Sequence, residues 1–155
     1  MRKTANKAIA VSFKKAIDKY PEKDIKMPLI TDGNTCFDFY APEKTVIYPG
    51  NRSVKVGTGL MFEIPKGYHM EIYMRSSYGS KRGLRMSDCV GIIDNSYRGE
   101  VIGAFDNIGT LPEIIEKGER FMQGKIAPDV TVEFTEKDSL SQTQRGEGGF
   151  GSTGK

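Results

Sequence analysis

From residue 45 onward, apolar and polar positions alternate in short stretches. Thr45-Val46-Ile47-Tyr48, Tyr68 to Met74, Val101-Ile102-Gly103-Ala104-Phe105 and Val130 to Phe134 are rich in β-branched and aromatic residues, and each predicts a strand. Turn formers stand between them: Asp32-Gly33-Asn34, Pro49-Gly50-Asn51, Pro65-Lys66-Gly67, Asp106-Asn107 with Gly109, and Lys117-Gly118. Many short strands at this spacing predict an all-β sandwich or barrel, and no helical pattern alternates with them as a parallel sheet would require. Ile9, Val11 and Phe13 alternate like a strand, while Ile9, Phe13, Ile17 and Tyr20 fall at helical spacing. A strand passing into a short helical turn satisfies both patterns. After Phe134 the chain turns polar, and Arg145 to Lys155 reads RGEGGFGSTGK, five glycines among eleven residues. Such a segment cannot fold by itself. The expected division is a β domain over 1–140 and a flexible glycine-rich segment over 141–155.

Composition narrows the function. A chain of 155 residues, 37% apolar and 28% charged, forms one compact domain rather than a disordered chain, and it has no apolar run long enough to span a bilayer. Lys plus Arg exceed Asp plus Glu by 23 to 20. A net charge of +3 is too weak to announce nucleic acid but suits a small polyanion. Two cysteines, Cys36 and Cys89, and the single histidine, His69, do not make a disulfide framework, a zinc cluster or a histidine-based nucleophile engine. His69 reads as an exposed ring on a strand and Cys89 as a buried thiol. The basic start Met1-Arg2-Lys3 is not followed by an apolar stretch or a cleavage site, so the expected compartment is the cytosol.

Four constellations carry chemistry. Arg75-Ser76-Ser77-Tyr78-Gly79-Ser80-Lys81-Arg82-Gly83 follows a strand with hydroxyls, a glycine and positive charge. That composition suits an oxyanion held on backbone N–H groups, with a short helix beginning at the serines, and equally suits a turn that a serine caps. In Val90 to Ile102, two apolar runs flank a polar turn carrying Asp94 and Tyr97. Asp94 there is a general-base candidate, or a carboxylate bonded to its own turn. Lys117-Gly118-Glu119-Arg120-Phe121-Met122-Gln123 places an amide after a turn, with Glu119 and Arg120 reading as an exposed pair. The tail satisfies G-x-x-x-x-G-K over Gly149 to Lys155, but no Ser/Thr and no helix follow, so it is not a Walker loop. It reads instead as a lid with an arginine for phosphate and one aromatic for a base.

In this order, the segments resemble the five motifs of the trimeric deoxyuridine triphosphatases, the dUTPase family. They are Cys36 to Ala41, Arg75 to Gly79, Gly91 to Gly99, Gly118 to Gln123, and Arg145 to Gly154. Met74 and Cys36 depart from the family's usual Pro and Gly, and Asp88 stands where some members have Asn. The resemblance implies a jelly-roll-like β-barrel, a homotrimer with active sites shared between chains, and hydrolysis of dUTP to dUMP and pyrophosphate. It implies Mg²⁺ held by the substrate phosphates and water rather than by protein ligands. Asp94 would be the base. Ser76, Ser77 and Gly79 would hold the α and β phosphates, with Arg75 supporting them from a neighbouring subunit and Gln123 adding an amide. Gly91 and Ile93 would lie against the uracil edge, Tyr97 against the sugar, and Phe150 over the base. Arg145, Gly151, Ser152 and Thr153 would close on the phosphates, while Asp38 and Asp88 would support from outside. The implied setting is cytoplasmic, in the host cytoplasm if the chain is viral, with neither membrane nor direct nucleic-acid binding. Two other readings are a dCTP deaminase on a related barrel and a nucleotide-dependent interaction protein that retains the pocket.

Overall fold

The computed structural model describes residues 8–149. Within them, ten strands, one 3₁₀ turn and one short α-helix follow one another: β1 (Ser12–Lys15), the 3₁₀ turn (Glu22–Asp24), β2 (Phe37–Tyr40), β3 (Thr45–Ile47), β4 (Val54–Glu63), β5 (Tyr68–Met74), α1 (Ser76–Lys81), β6 (Leu84–Met86), β7 (Gly91–Ile93), β8 (Glu100–Asn107), β9 (Glu113–Ile115) and β10 (Arg120–Pro128). Two four-stranded antiparallel sheets, ordered β1-β4-β8-β6 and β2-β10-β5-β7, are accompanied by the pair β3-β9. This is the expected all-β, jelly-roll-like architecture. No helix among the described residues is long and apolar enough to cross a membrane.

Each strand turns one face inward, because successive side chains point to opposite sides of a pleated sheet. On β5, Met70 and Ile72 are buried while His69, Glu71 and Tyr73 lie on the other face. Phe39, Phe105 and Phe121 are completely buried; Phe105 lies tilted against Phe121 at 5.8 Å between centroids, and Phe39 meets Phe37 and Phe62 edge-on. In β10, Phe121 and Met122 are adjacent yet both buried, because the pairing with β2 shifts register between Arg120 and Met122. Such a bulge re-aims one side chain without ending the strand. Gly124 lies beneath the Phe37 and Phe39 rings, where a Cβ would come within 2.6 to 2.9 Å of them.

The N-terminal stretch is a strand passing into a helical turn, as its mixed periodicity predicts: β1 pairs with β4, then the Lys19 and Tyr20 N–H groups both donate to the Ala16 carbonyl. Three expectations differ from the structure. Val130 to Phe134 is not a strand, since β10 ends at Pro128 and Val130, Val132 and Phe134 stand in solvent, the last 94% exposed. Among the described residues its alternation meets neither a sheet edge nor a core. Cys89 is exposed rather than buried and has φ of +64°, because the residue reverses the chain between β6 and β7. His69 is half-buried, its Nδ1 2.7 Å from Asp129 Oδ1 and its Nε2 3.5 Å from Glu71 Oε1.

Candidate functional site

Three adjacent strands of one sheet bring Asp38, Gln123 and Tyr73 into a row, because β10 places Gln123 opposite Asp38 of β2 and opposite Tyr73 of β5. Where β5 ends, the chain turns into α1, whose first residues are Ser76 and Ser77. Asn34, Thr35, Cys36, Asp38, Arg75, Ser76, Ser77 and Gln123 line a polar cleft of about 460 Å³ at this corner. The helix does begin at the serines. Arg75 rather than either serine takes the capping position, with extended backbone and no side-chain cap bond. The two hydroxyls therefore belong to the first turn, where a helix also presents unpaired N–H groups.

Arginines fix this corner. Arg75 Nε lies 3.1 Å from Asp38 Oδ1, and Arg120 Nη1 donates to Asp38 Oδ2 at 3.1 Å. Arg75 Nη1 also donates to the Arg120 carbonyl at 3.2 Å, and Gln123 Nε2 to the Met74 carbonyl at 3.3 Å. One carboxylate against two guanidiniums leaves the corner net positive, the balance that attracts a phosphate. Gly79 is packed under Met74, whose terminal methyl a Cβ would meet at 2.7 Å.

Beneath α1 lies a network that the spacing of residues does not reveal. The buried Tyr78 hydroxyl donates to Glu119 Oε1 at 2.6 Å, Arg82 Nη1 donates to the same oxygen at 2.7 Å, and the Glu116 N–H donates to Glu119 Oε2 at 2.9 Å. Burial works against the charge on Glu119, but those three donors outweigh it and hold the carboxyl below its ordinary value. Burial raises the Tyr78 hydroxyl further above its usual range. Glu119 is thus an anchor for the helix rather than half of a surface pair. Asn34 and Thr35 are further cleft residues that sequence reading passes over, although Asn34 belongs to a recognised turn.

The second cluster lies elsewhere. β7 ends at Ile93, and residues 94–99 cross to the other sheet, since β7 pairs with β5 while β8 pairs with β4 and β6. The two apolar runs around Asp94 are therefore not a hydrogen-bonded hairpin. Asp94 is exposed at the start of this crossing, and its carbonyl accepts the Tyr97 N–H at 3.1 Å. The Tyr97 ring lies over Gly99, where any Cβ would collide with it, and its hydroxyl donates to the Glu100 carbonyl at 3.1 Å. Gly91 sits between Ile72 and the Asp88 carboxylate, which a Cβ would meet at 2.5 Å and 3.0 Å. The chain thus groups Asp38, Arg75, Ser76, Ser77 and Gln123 in one place, and Asp88, Gly91, Ile93, Asp94 and Tyr97 in another. Arg145 is remote from both in sequence, and its Nε donates to the Gly148 carbonyl at 2.8 Å. Phe150, Gly151, Ser152 and Thr153 lie outside the described residues.

The family model described as dUTPase matches residues 24–154. The chain belongs to the dUTPase family. It is 44% identical over 119 residues to the deoxyuridine 5'-triphosphate nucleotidohydrolase of Nautilia profundicola, covering 77% of this chain and 83% of that protein. It is 38% identical over 141 residues to the enzyme of the same name from a Hydrogenobaculum species, covering 90% and 98%. A variant of the dUTPase of Staphylococcus bacteriophage 80alpha, solved with dUpNHpp, superposes with a TM-score of 0.82 at 25% identity over 94% of this chain and 98% of that one. The dUTPase family membership covers both clusters described above.

Proposed function

We propose that this chain hydrolyses dUTP to dUMP and pyrophosphate, keeping uracil out of DNA, as a homotrimer whose active sites are shared between chains. One observation carries the reading. Ile93 pairs with Met70 near the start of β5, whereas Ser76 lies beyond the strand's end. Six residues of extended chain span about 20 Å, too far for a base at Asp94 and an oxyanion cleft at Ser76 to act on one phosphorus. Both clusters meet a single substrate when one chain supplies the cleft and its neighbour the 94–99 crossing.

In that arrangement Ser76, Ser77 and the first turn of α1 receive the α and β phosphates, with Gly79 allowing close backbone approach. Arg75 and Gln123 line the same cleft as the serines, so both add donors from the serines' own chain, and Arg75 does not act from a neighbouring subunit as the resemblance implied. On the neighbour, the backbone at Gly91 and Ile93 reads the uracil edge, and Tyr97 packs against the sugar, leaving no room for a 2′-OH. Asp94 orients a water and takes its proton as the oxygen attacks the α-phosphorus, while the bond to the bridging oxygen breaks and pyrophosphate departs. Asp38 and Asp88 support the two halves. Residues 141–155 act as the lid, with Arg145, Gly151, Ser152 and Thr153 closing on the phosphates and Phe150 covering the base.

Mg²⁺ would be held by the substrate phosphates and water. Both Asp38 oxygens already face arginines, and the described residues contain no group of three or more His, Cys, Asp or Glu side chains placed to hold a metal. The donor set fits phosphate oxygens and hydrated Mg²⁺ rather than a bare cation. Bound on the phosphates, Mg²⁺ supplies charge neutralisation. The enzyme acts in the cytoplasm, in the host cytoplasm if viral, on free nucleotide rather than on nucleic acid or membrane.

Subunit mixing tests the sharing. Asp94→Asn and Arg75→Ala trimers, each inactive alone, should regain activity when unfolded together and refolded. Random association leaves roughly a quarter of the sites with both wild-type groups. Mixtures as inactive as their parents would overturn shared sites. Release of pyrophosphate without ammonia separates the hydrolase from a deaminase.

A further inference from the structure

Glu100, the first residue of β8, carries a carboxylate only 3% exposed. The chemistry proposed above does not use it, although burying a charge is costly unless it is paired and hydrogen-bonded. It is fully engaged. The Gly59 N–H donates to Oε1 at 2.8 Å, Lys19 Nζ donates to Oε2 at 2.8 Å, and the Tyr20 hydroxyl lies beside the carboxylate. Gly57 leaves the space they occupy, since a Cβ there would collide with both Glu100 Oε1 and the Tyr20 hydroxyl.

These partners come from separate parts of the chain. Lys19 and Tyr20 belong to the turn after β1. Gly59, with φ of +70°, lies where the β4 to β8 pairing shifts register between Gly57 and Met61. The Gly59 carbonyl accepts the Ala16 N–H at 2.8 Å, so the N-terminal turn is bound to the same irregular stretch. The Thr58 hydroxyl donates to the Val101 carbonyl at 2.9 Å and pins the residue that follows Glu100. The backbone of Glu100 meanwhile faces the crossing, its carbonyl accepting the Tyr97 hydroxyl. Side chain and main chain of one residue thus connect the N-terminal turn, the β4 irregularity and the ring beside Asp94.

We propose that Glu100 is a positioning residue for the dUTP reaction, fixing through its own backbone the height at which the 94–99 crossing presents Tyr97 and Asp94. The proposal rests on the dUTPase reading of that crossing. The Lys19 ammonium is held above its ordinary pKa by its hydrogen bond to Glu100. Glu100→Gln keeps the shape but sets its amide NH₂ against either the Lys19 ammonium or the Gly59 N–H, donor against donor, never satisfying both as the carboxylate does. A shifted Tyr97 would open space beside the sugar and blunt the rejection of a 2′-OH.

The experiment measures kcat/KM for dUTP and UTP in wild type, Glu100→Gln, Lys19→Ala and Lys19→Arg, with thermal unfolding of each. The dUTP to UTP ratio should fall about tenfold in Glu100→Gln and about threefold in Lys19→Ala, and Lys19→Arg should restore it. A purely structural loss lowers the active fraction for both nucleotides alike, so an unchanged ratio in Glu100→Gln overturns the proposal even if activity falls. Lys19 is half exposed, so its variants fold even if Glu100→Gln does not. Equal ratios in Lys19→Ala and Lys19→Arg then overturn it equally. Wild type that fails to release pyrophosphate from dUTP would instead sink the reading of the site, a result distinguishable from either.

Discussion

The Arg75 guanidinium bonds the Asp38 carboxylate through Nε and the Arg120 carbonyl through Nη1. A planar fork meets two acceptors from different strands at once, a task for which a single ammonium is poorly shaped. Arg75→Lys keeps the charge and loses this alignment. We expect kcat/KM for dUTP to fall about tenfold or more with an unchanged far-ultraviolet circular dichroism spectrum, and steady-state kinetics with the spectrum check both halves.

Asp94 stands exposed at the end of β7, and among the described residues its carboxylate forms no ion pair. Asp94→Asn removes the proton acceptor without disturbing the core. Turnover should drop by roughly 10²- to 10⁴-fold, while dUpNHpp still binds by calorimetry. Full activity in this variant would exclude Asp94 as the base.

The segment from Arg145 to Lys155 follows a long run without strands, and Arg145 bonds within its own segment rather than to the barrel. Truncation after residue 144 should leave the assembly intact by sedimentation and lower kcat on the order of 10²-fold, because closure positions the triphosphate and excludes water. Unchanged turnover would mean that no lid closes.

His69 is held above its ordinary pKa, chiefly by its hydrogen bond to Asp129, with burial opposing and Glu71 adding. A raised folded-state pKa gives stability that is fully present below the unfolded value, about 6.5, and is lost as pH rises through the folded value. His69→Gln should therefore melt below wild type at pH 5.5, with the gap narrowing as the medium becomes alkaline. Melting curves across pH 5 to 9 decide it, and a gap that widens toward alkaline pH would contradict the linkage.

Legibility in the sequence followed the range of the interactions involved. β3, β5 and β8 were readable because each alternates cleanly over consecutive residues. β10 was harder, since its bulge buries Phe121 and Met122 side by side. Val130 to Phe134 has the right alternation, but periodicity reports a face and not the surface that face will meet. At the site, the serines after β5 and the carboxylate after β7 stood out through local composition. Glu119 and Glu100 did not, because their partners Tyr78 and Lys19 are 41 and 81 residues away. Chain separation of that size leaves no trace in spacing. Nor did the motifs by themselves disclose that one chain parts its two clusters, which only the pairing of β5 with β7 made visible.

Three bulky apolar side chains, Val130, Val132 and Phe134, are left bare to water beyond the final strand. For so small a protein this makes dilution a chemical variable. Specific activity ought to hold steady in a concentrated solution and fade below a threshold concentration, where chains separate and no longer share sites.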